Sequence, residues 1–371
     1  MPGAALLLAL ATPALAASPG SAAAEPTAHP MYLPGHAAPG AVHAAGTPSG
    51  YGPADLQSAY KLPSATAGSG QTVAIVDAYD DPTAEADLAV YRAQYGLPPC
   101  TTANGCFRKV DQNGGTSYPR KNAGWAVEIS LDLDMVSAIC PNCHILLVEA
   151  TTNSFVNLGT AVNRAAAMGA NAISNSYGGG DTSDSSAPYY NHPGIAITAS
   201  SGDSGYGVEF PASSHYVTAV GGTSLTKASN TRGWSETAWS GAGSGCSTNN
   251  AALSGQASFS TGCAKRAVAD VSAVADPSTG VAVYDSTAYQ GLSGWEIWGG
   301  TSVASPIIGA VFGLAGNAGG IDNNYPYSHA TSLFDVTSGS NGSCSPSQLC
   351  TARAGWDGPT GLGTPNGTGA F

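Results

Sequence analysis

Charged side chains are scarce in this chain of 371 residues. Only 10% of the residues are charged, and 12 lysines and arginines stand against 24 aspartates and glutamates, for a formal net charge of −12 at pH 7. The few cations are scattered and form no basic stripe, so we expect no nucleic-acid partner and no membrane partner. After the first residues, no stretch reaches the roughly 18 apolar residues of a membrane helix.

Glycine and proline are abundant instead, at 49 and 24 residues. This composition indicates many turns and loops and excludes a long helical bundle. Because 43% of the residues are hydrophobic, the chain has enough apolar side chains for a buried core. We therefore expect one enzyme-sized domain.

The first residues have the pattern of an export signal. An apolar run around residues 4–10 is followed by Ala14-Leu15-Ala16, the small-x-small pattern of a signal peptidase site. We predict that residues 1–17 are a signal peptide and that the protein is secreted. Residues 18–48 are rich in Ala, Pro, Gly and His, which predicts a disordered leader or a short pro-segment. The folded domain is predicted to span residues 49–371.

The eight cysteines fall into pairs that are close in sequence. In an exported chain such pairs favour disulfide bonds. The predicted pairs are Cys100–Cys106, Cys140–Cys143, Cys246–Cys263 and Cys344–Cys350. The alternative is a zinc site formed by Cys140, Cys143 and His144, but no second CxxC or histidine pair with metal-ligand spacing accompanies it.

Apolar strands alternate with helical patterns along the domain. Strands are predicted over residues 71–77, 144–149, 171–176, 194–200 and 216–220, and helices over 83–95, 126–139, 156–168 and 307–315. Residues 226–265 are predicted to be an irregular excursion. The alternation predicts an α/β fold with a mainly parallel sheet, and ligands bind such sheets at the carboxyl ends of the strands.

Ser302 follows Gly300 and Thr301 at the start of a predicted helix, where its hydroxyl would lie in the positive field of the helix N-terminus. Two interpretations are equally open from this motif alone. Ser302 is either a nucleophile or a residue that caps the helix. A nucleophile needs a base, and none of the seven histidines lies in a setting that favours this role.

Carboxyl groups are the other candidate bases. Glu128 and Asp132 are about 40° apart around the helix predicted over 126–139, which is apolar on nearly all sides. If the two share a proton, the pair could accept the proton of a serine. Asp134 lies about 240° from Glu128, and we interpret it as structural. The alternative for Glu128 and Asp132 is a solvated helix face.

Two further aspartates follow predicted strands. Asp203 lies where a protonated carboxyl could donate a hydrogen bond to a developing oxyanion. Its alternative is an Asx-turn between two glycines. Asp77 ends the first strand, where it could orient another side chain or cap the following turn.

Taken together, three motifs resemble those of the sedolisin family of serine-carboxyl peptidases, and they occur in the family's order. They are Glu128-x-x-x-Asp132, Ser201-Gly202-Asp203-Ser204-Gly205 and Gly300-Thr301-Ser302-x-x-x-Pro306. The similarity runs from about residue 51 to residue 371. It implies a subtilisin-like fold with helices on both faces of the sheet and a single catalytic domain. It also implies that Ser302 is the nucleophile, Glu128 the general base, Asp132 its partner and Asp203 the oxyanion carboxyl.

The resemblance extends to two C-terminal loops and implies one structural Ca²⁺ ion. The implied ligands are the side chains of Asp335 and Asp357 and the backbone carbonyls of Val336, Arg353 and Gly355. Carboxylates and carbonyls are suitable ligands for a hard cation, although no EF-hand spacing is present. In addition, residues 174–178 resemble the strand that lies along a bound peptide in the family.

We therefore expect a secreted, acid-favoured serine endopeptidase that acts as a monomer on proteins or peptides. The alternative is an exported binding protein without catalysis, built on the same scaffold. It is motivated by the short stretch of about 50 residues before the similar part, since family members usually carry a large folded pro-region. The presence of Glu128, Asp132, Asp203 and Ser302 together argues against it.

Overall fold

The computed structural model describes Met1, Gly3, residues 25–36 and residues 48–371. The signal peptide predicted over residues 1–17 therefore lies almost entirely outside the described residues. So do residues 18–24 and 37–47 of the predicted leader. In the part of the chain that is described, no helix is long and apolar enough to cross a membrane.

The described residues form six α-helices and eighteen strands, several of them very short. The helices are α1 (Pro53–Ala59), α2 (Ala84–Gln94), α3 (Ala123–Ile139), α4 (Phe155–Ala167), α5 (Thr301–Ala315) and α6 (Tyr325–Ser328). The strands are β1 (His29–Pro30), β2 (Leu33–Pro34), β3 (Thr72–Ala78), β4 (Phe107–Asp111), β5 (His144–Ala150), β6 (Ala172–Asn175), β7 (Tyr177–Gly180), β8 (Ala196–Ser200), β9 (Glu209–Phe210), β10 (Thr218–Lys227), β11 (Trp234–Ala238), β12 (Gly245–Cys246), β13 (Ala267–Val268), β14 (Val271–Val274), β15 (Val281–Tyr289), β16 (Leu292–Gly299), β17 (Leu333–Phe334) and β18 (Thr364–Pro365).

A central sheet of eight strands organises the domain. Seven of its strands have the order β11-β10-β8-β6-β3-β5-β4, and β14 pairs with the middle of β10. Every neighbouring pair is parallel except β10 with β11 at one edge. The predicted mainly parallel sheet is confirmed.

Both faces of this sheet are covered, and β3 shows how. Val73 and Ile75 face the apolar cluster that contains α3 and α5, whereas Ala74 and Val76 face the cluster that contains α4. Side chains alternate along a strand, so a strand buried on both sides must be apolar throughout. This explains why the central strands appear in the sequence as continuous apolar runs. The prediction of helices on both faces of the sheet is confirmed.

Helix α5 begins at Thr301, six residues before the predicted start at residue 307. Pro306 therefore lies inside the helix and not in its first turn. A proline cannot donate a hydrogen bond to the carbonyl four residues earlier, here that of Ser302. The Ser176 hydroxyl oxygen lies 3.4 Å from this carbonyl oxygen. The early start puts Ser302 in the first turn of the helix.

Two other features differ from the predictions. Strand β10 continues past Gly221 and Gly222 to Lys227 because both glycines are packed closely, and a Cβ at Gly221 would lie 2.2 Å from the Pro359 carbonyl oxygen. The antiparallel hairpin of β15 and β16 was not predicted. Its outer part is largely exposed, so its sequence has no long apolar run.

All four predicted disulfides are present. Because Cys140 and Cys143 are bonded to each other, the zinc alternative at these residues is wrong.

A buried ion pair joins the end of the irregular excursion to the sheet. The side chains of Arg266 and Asp270 are both fully buried, and Arg266 donates to the Asp270 carboxylate through two nitrogens. Asp270 also accepts from the Ala219 backbone N–H at 2.7 Å. Removal of one partner of such a pair leaves the other charge buried without compensation.

We expect Asp270→Ala to lower the free energy of unfolding by about 3–5 kcal/mol, because it leaves the Arg266 charge buried without an opposite charge. Urea denaturation would measure the change. The matched control is Lys227→Ala at the solvated Lys227–Asp55 pair, where the lysine side chain is 56% exposed. This control should cost less than about 1 kcal/mol. Equal losses for the two variants would contradict the prediction.

Candidate active site

Helix α3 encloses the predicted pair of carboxyls. Asn122 caps its N-terminus by accepting from the Trp125 backbone N–H at 3.2 Å, and every residue from 125 to 139 is buried. Glu128 and Asp132 are themselves fully buried. The alternative of a solvated helix face is therefore wrong. Asp134, on another side of the helix, accepts from the Tyr284 backbone N–H at 2.9 Å, which agrees with a structural role.

Ser302 lies directly against this pair. Its hydroxyl donates to Glu128 Oε2 at 2.9 Å, and the serine is fully buried. The N-cap position of α5 belongs to Gly300, so the helix-capping interpretation of Ser302 is wrong. A hydroxyl that donates to a carboxylate within 3 Å has the geometry of a nucleophile with its base.

Asp132 lies one helical turn after Glu128 and is held by the Ser176 hydroxyl, which donates to Asp132 Oδ1 at 2.7 Å. The second oxygens, Glu128 Oε1 and Asp132 Oδ2, have no hydrogen-bond partner within the described part of the chain. Burial raises the pKa of both carboxyls well above the ordinary range, and each negative charge nearby adds to this effect. The pair therefore retains protons that exposed carboxyls would lose.

A third carboxyl belongs to this group. Asp77, at the end of β3, is fully buried, and neither of its oxygens has a hydrogen-bond partner among the residues described. It therefore does not cap the following turn. Its charge acts on Glu128 and Asp132 and raises the pKa of both, and burial raises its own pKa well above the ordinary range. We call Asp77, Glu128 and Asp132 the carboxyl cluster.

Asp203 lies on the other side of Ser302. Its Oδ1 accepts from the backbone N–H of Thr301 at 2.7 Å and from the Thr301 hydroxyl at 2.9 Å. Its Oδ2 is shielded from solvent and has no partner in the described structure. Loss of hydration raises the pKa of Asp203 to about 7. Below that pH the carboxyl is protonated and Oδ2 can donate a hydrogen bond.

Residues 27–36 of the chain pass through this site. β1 pairs antiparallel with β7, and β2 pairs antiparallel with β16. Between them, Met31 is 1% exposed, and its carbonyl oxygen accepts from the Ser302 backbone N–H at 2.9 Å. Its own N–H lies 3.1 Å from both Ser302 Oγ and Glu128 Oε2. Residues 27–36 of the predicted leader are therefore ordered and not disordered. Their two short strands are held by pairing with β7 and β16.

A buried pocket receives the Met31 side chain. A Cβ on Gly178 would lie 2.3 Å from Met31 Cε and 2.7 Å from Glu209 Oε2, so the glycine leaves the space that the methionine occupies. Glu209 Oε2 has no hydrogen-bond partner in the residues described, although His29 Nε2 lies 3.7 Å away. Burial raises the pKa of Glu209 to about 7. Glu209 was missed in the sequence because it lies in no distinctive motif, and Ser176 was included only in the segment 174–178, without a role as the partner of Asp132.

The loops expected to bind calcium lie far along the chain. Asp357 is fully buried and accepts from the Thr360 hydroxyl at 2.8 Å and from the Arg353 backbone N–H at 3.0 Å. Asp335 accepts from the Gly355 backbone N–H at 2.9 Å. Burial and the charge of Asp335 raise the pKa of Asp357 to about 7. No group of three or more His, Cys, Asp or Glu side chains that could hold a metal ion occurs among the described residues.

Comparisons with known proteins show the family of this chain. The Subtilase family profile matches residues 116–331, more than half of the chain. The chain belongs to the subtilase family. Kumamolisin from Bacillus sp. (strain MN-32) is 30% identical over 366 residues, covering 86% of this chain and 63% of kumamolisin. Sedolisin from Pseudomonas sp. (strain 101) is 26% identical over 381 residues, covering 91% of this chain and 63% of sedolisin.

Solved structures of subtilases support the fold. Pseudomonas sedolisin, a serine-carboxyl proteinase solved with two molecules of pseudo-iodotyrostatin, superposes with a TM-score of 0.71 at 24% identity, covering 86% of this chain and 96% of that one. Sphericase superposes with a TM-score of 0.53 at 19% identity, covering 84% and 96% of the two chains. The expected subtilisin-like fold is confirmed, and the similarity to kumamolisin and sedolisin supports the resemblance to the sedolisin family. The chain spans 63% of the length of kumamolisin and of sedolisin.

Proposed function

We propose that this subtilase is a secreted, acid-favoured serine-carboxyl endopeptidase that acts on proteins and peptides. The observation that carries the proposal is the hydrogen bond of 2.9 Å from Ser302 Oγ to Glu128 Oε2. Four disulfides favour an oxidising compartment, in agreement with export. Endopeptidase action is supported by residues 27–36, which continue on both sides of Ser302, so that the cleft accepts the interior of a chain.

In the proposed reaction, Ser302 Oγ attacks the carbonyl carbon of the substrate and passes its proton to Glu128. The oxyanion that forms accepts hydrogen bonds from the Ser302 backbone N–H and from the protonated carboxyl of Asp203. Glu128 then returns the proton to the leaving amine, and water hydrolyses the acyl-enzyme by the same steps. Asp132, fixed by Ser176, positions Glu128.

Glu128 must be ionised to act as a base, although burial raises its pKa. The first ionisation of the carboxyl cluster belongs to Glu128, because Glu128 Oε2 accepts from both the Ser302 hydroxyl and the Met31 N–H. Asp132 accepts one such bond, from Ser176, and Asp77 accepts none from the residues described. Hydrogen bonds to a charged form favour that form. Asp132 and Asp77 then retain their protons.

The binding-protein alternative has no observation in its favour. Three carboxyls buried together, without a cation among the charges that act on them, oppose folding and would serve no purpose in a binding scaffold.

The nucleophile is tested by Ser302→Ala. We expect hydrolysis of denatured haemoglobin at acidic pH to fall by at least about 1,000-fold, because Ser302 carries the only hydroxyl among the described residues that donates to Glu128. The matched control is Ser305→Ala, one turn further along α5, where the hydroxyl contacts Ser174 and Thr198 and not the carboxyl cluster. The control should retain most of the activity. Full activity in Ser302→Ala would reject the proposed mechanism.

The role of Asp203 predicts a particular pH profile. Since the pKa of Asp203 is about 7, the oxyanion donor is present below that pH and is lost above it, so kcat should fall as the pH rises through about 7. Asp203→Ala should lower kcat at acidic pH by about 100- to 1,000-fold. Asp203→Asn keeps a donor that does not titrate, so it should lose less and should extend activity to higher pH. An unchanged alkaline limb in Asp203→Asn would contradict this role.

We propose further that the loops at Asp335 and Asp357 bind one structural Ca²⁺ ion, with the carbonyls of Val336, Arg353 and Gly355 as additional ligands. The donor set consists of oxygen atoms only, which suits a hard cation. Asp357 is buried, and the negative charge of Asp335 acts on it and raises its pKa further. A divalent cation between the two loops would neutralise both.

Removal of calcium should therefore lower thermal stability. In the presence of Ca²⁺ at about 100 times its Kd, the ion contributes ~2.7 kcal/mol, so we expect EGTA at pH 7 to lower Tm by roughly 3–5 °C. Asp357→Asn should abolish this response. The matched control Asp322→Asn, at an exposed aspartate elsewhere, should keep it. A Tm that does not respond to EGTA in the unmodified protein would reject the calcium site.

A further inference from the structure

The hairpin of β15 and β16 buries a carboxyl at an unusual place. Among residues 284–297, which we call the outer hairpin, Asp285 is the one fully buried residue, whereas Leu292 near the tip is 44% exposed. An aspartate is seldom fully buried unless a partner compensates for the loss of water. The one residue that the outer hairpin buries completely is thus a group that prefers water.

The free edge of β15 is held by carboxyl groups from two helices. β15 is an edge strand of its three-stranded sheet. Asp134 of α3 accepts from the Tyr284 backbone N–H at 2.9 Å. Asp87 of α2 accepts from the backbone N–H and from the hydroxyl of Ser286, both at 3.0 Å. The N–H groups on either side of Asp285 are therefore bound by buried acidic side chains and not by a further strand.

Asp285 itself lies among negative charges. Its Oδ1 accepts from the Thr287 backbone N–H at 2.7 Å, while Oδ2 is shielded from solvent and has no partner in the described structure. Carboxyls act on it from each element packed against β15, namely Asp81 in the loop after β3, Asp87 in α2, Asp134 in α3 and Glu296 in β16. The phenols of Tyr32, Tyr284 and Tyr289 lie in the same region, and phenols are uncharged at neutral pH.

The cations of this region do not compensate for Asp285. Arg92 of α2 acts on Asp134, and Lys109 of β4 acts on Asp81. Both are bonded to other groups, and neither forms an ion pair with Asp285 in the part of the chain that is described. Loss of hydration and the neighbouring negative charges therefore raise the pKa of Asp285 to about 7.

We propose that docking of the outer hairpin depends on acid: it lies against α2 and α3 while Asp285 is protonated and detaches from them when Asp285 is ionised. A protonated Asp285 adds no charge to the interface. An ionised Asp285 adds a negative charge beside other carboxyls and away from water, and detachment returns that charge to water.

The pH range follows from the two states of the hairpin. In the detached state Asp285 is exposed and has the ordinary pKa of an aspartate, near 4, whereas in the docked state its pKa is about 7. Between these values the docked state binds more protons, so each pH unit shifts the equilibrium toward detachment by up to about tenfold. Below about pH 4 the stabilisation is complete, and above about pH 7 both states are ionised and the equilibrium changes no further.

Docking of this hairpin bears directly on the candidate active site. β16 ends at Gly299, and Gly300 is the N-cap of α5, so the hairpin continues into the turn that carries Ser302. On the other side, Asp134 lies two residues after Asp132 on α3. The docked hairpin thus connects the two helices of the site. Detachment is a property of the fold and occurs whether or not the chain is a peptidase.

Hydrogen exchange measured by mass spectrometry tests this docking. The measurement uses the full chain with Ser302→Ala, which keeps proteolysis out of the samples. Exchange rates of the outer hairpin are divided by the rates of the same peptides without structure at each pH. This ratio should rise by up to about tenfold per pH unit between about pH 4.5 and 6.5 and level off above about 7. Amides of β3, inside the central sheet, report global unfolding separately.

Substitutions in the same chain identify the group responsible. Asp285→Asn cannot be ionised, so the ratio should no longer depend on pH. Glu296→Gln retains Asp285 but removes one of the negative charges that act on it, so the ratio should level off at a lower pH, and this variant serves where Asp285→Asn does not fold. The matched control is Glu85→Gln, at a carboxylate of α2 that accepts from Thr102, and it should keep the original profile.

Three results would overturn the inference. The first is a ratio that stays constant with pH in the parent chain. The second is the same pH dependence in Asp285→Asn as in the parent chain, since another group would then control the exchange. The third is a change in β3 parallel to that of the outer hairpin, which would show that the whole domain unfolds.

Discussion

Burial of the carboxyl cluster is the constraint on which the rest of the site depends. Transfer of an ionised carboxylate from water into a protein interior is so unfavourable that the group keeps its proton unless partners compensate. Here the partners of Glu128 and Asp132 are hydroxyls, from Ser302 and Ser176, and not cations. The site therefore needs α3 packed against both α5 and the end of β6, because α5 carries Ser302 and the residue that follows β6 is Ser176.

The same constraint links the fold to acidic conditions. Asp203, Glu209 and Asp285 all have a pKa raised to about 7 by loss of hydration. In the unfolded chain these groups titrate near 4, so between about pH 4 and 7 the folded state binds more protons than the unfolded state. Their contribution to stability is fully present below about 4 and is lost as the pH rises through 7. The proton on Asp203 is one of those that favour folding in acid. In the proposed mechanism, the same proton forms the hydrogen bond to the oxyanion.

Much of this architecture could be predicted from local sequence, and the reasons are physical. Strands such as β3 and β5 are buried on both faces, which makes them apolar runs, and α3 is apolar on every side except at its carboxyls. The position of residues 25–36 could not be predicted in this way. Their order comes from pairing with β7 and β16, more than 140 residues away in sequence, and such pairing leaves no periodicity in a segment this short. Pocket residues such as Glu209 could not be predicted from the sequence for a similar reason, since only the folded chain brings them to the cleft.

The glycine before Thr301 meets two separate requirements, one from its backbone conformation and one from the groups packed against it. Gly300 has a φ of 105°, a backbone conformation that side chains other than glycine rarely adopt. A Cβ at this position would also collide with the Met31 carbonyl oxygen, 2.2 Å away, and with Asp203 Oδ2. The first requirement belongs to the start of α5, whereas the second comes from the Asp203 carboxyl and from the Met31 carbonyl that lie beside the helix start. Both requirements apply to the same Cβ position, so the turn that begins the helix also leaves the room that these two groups occupy next to Ser302.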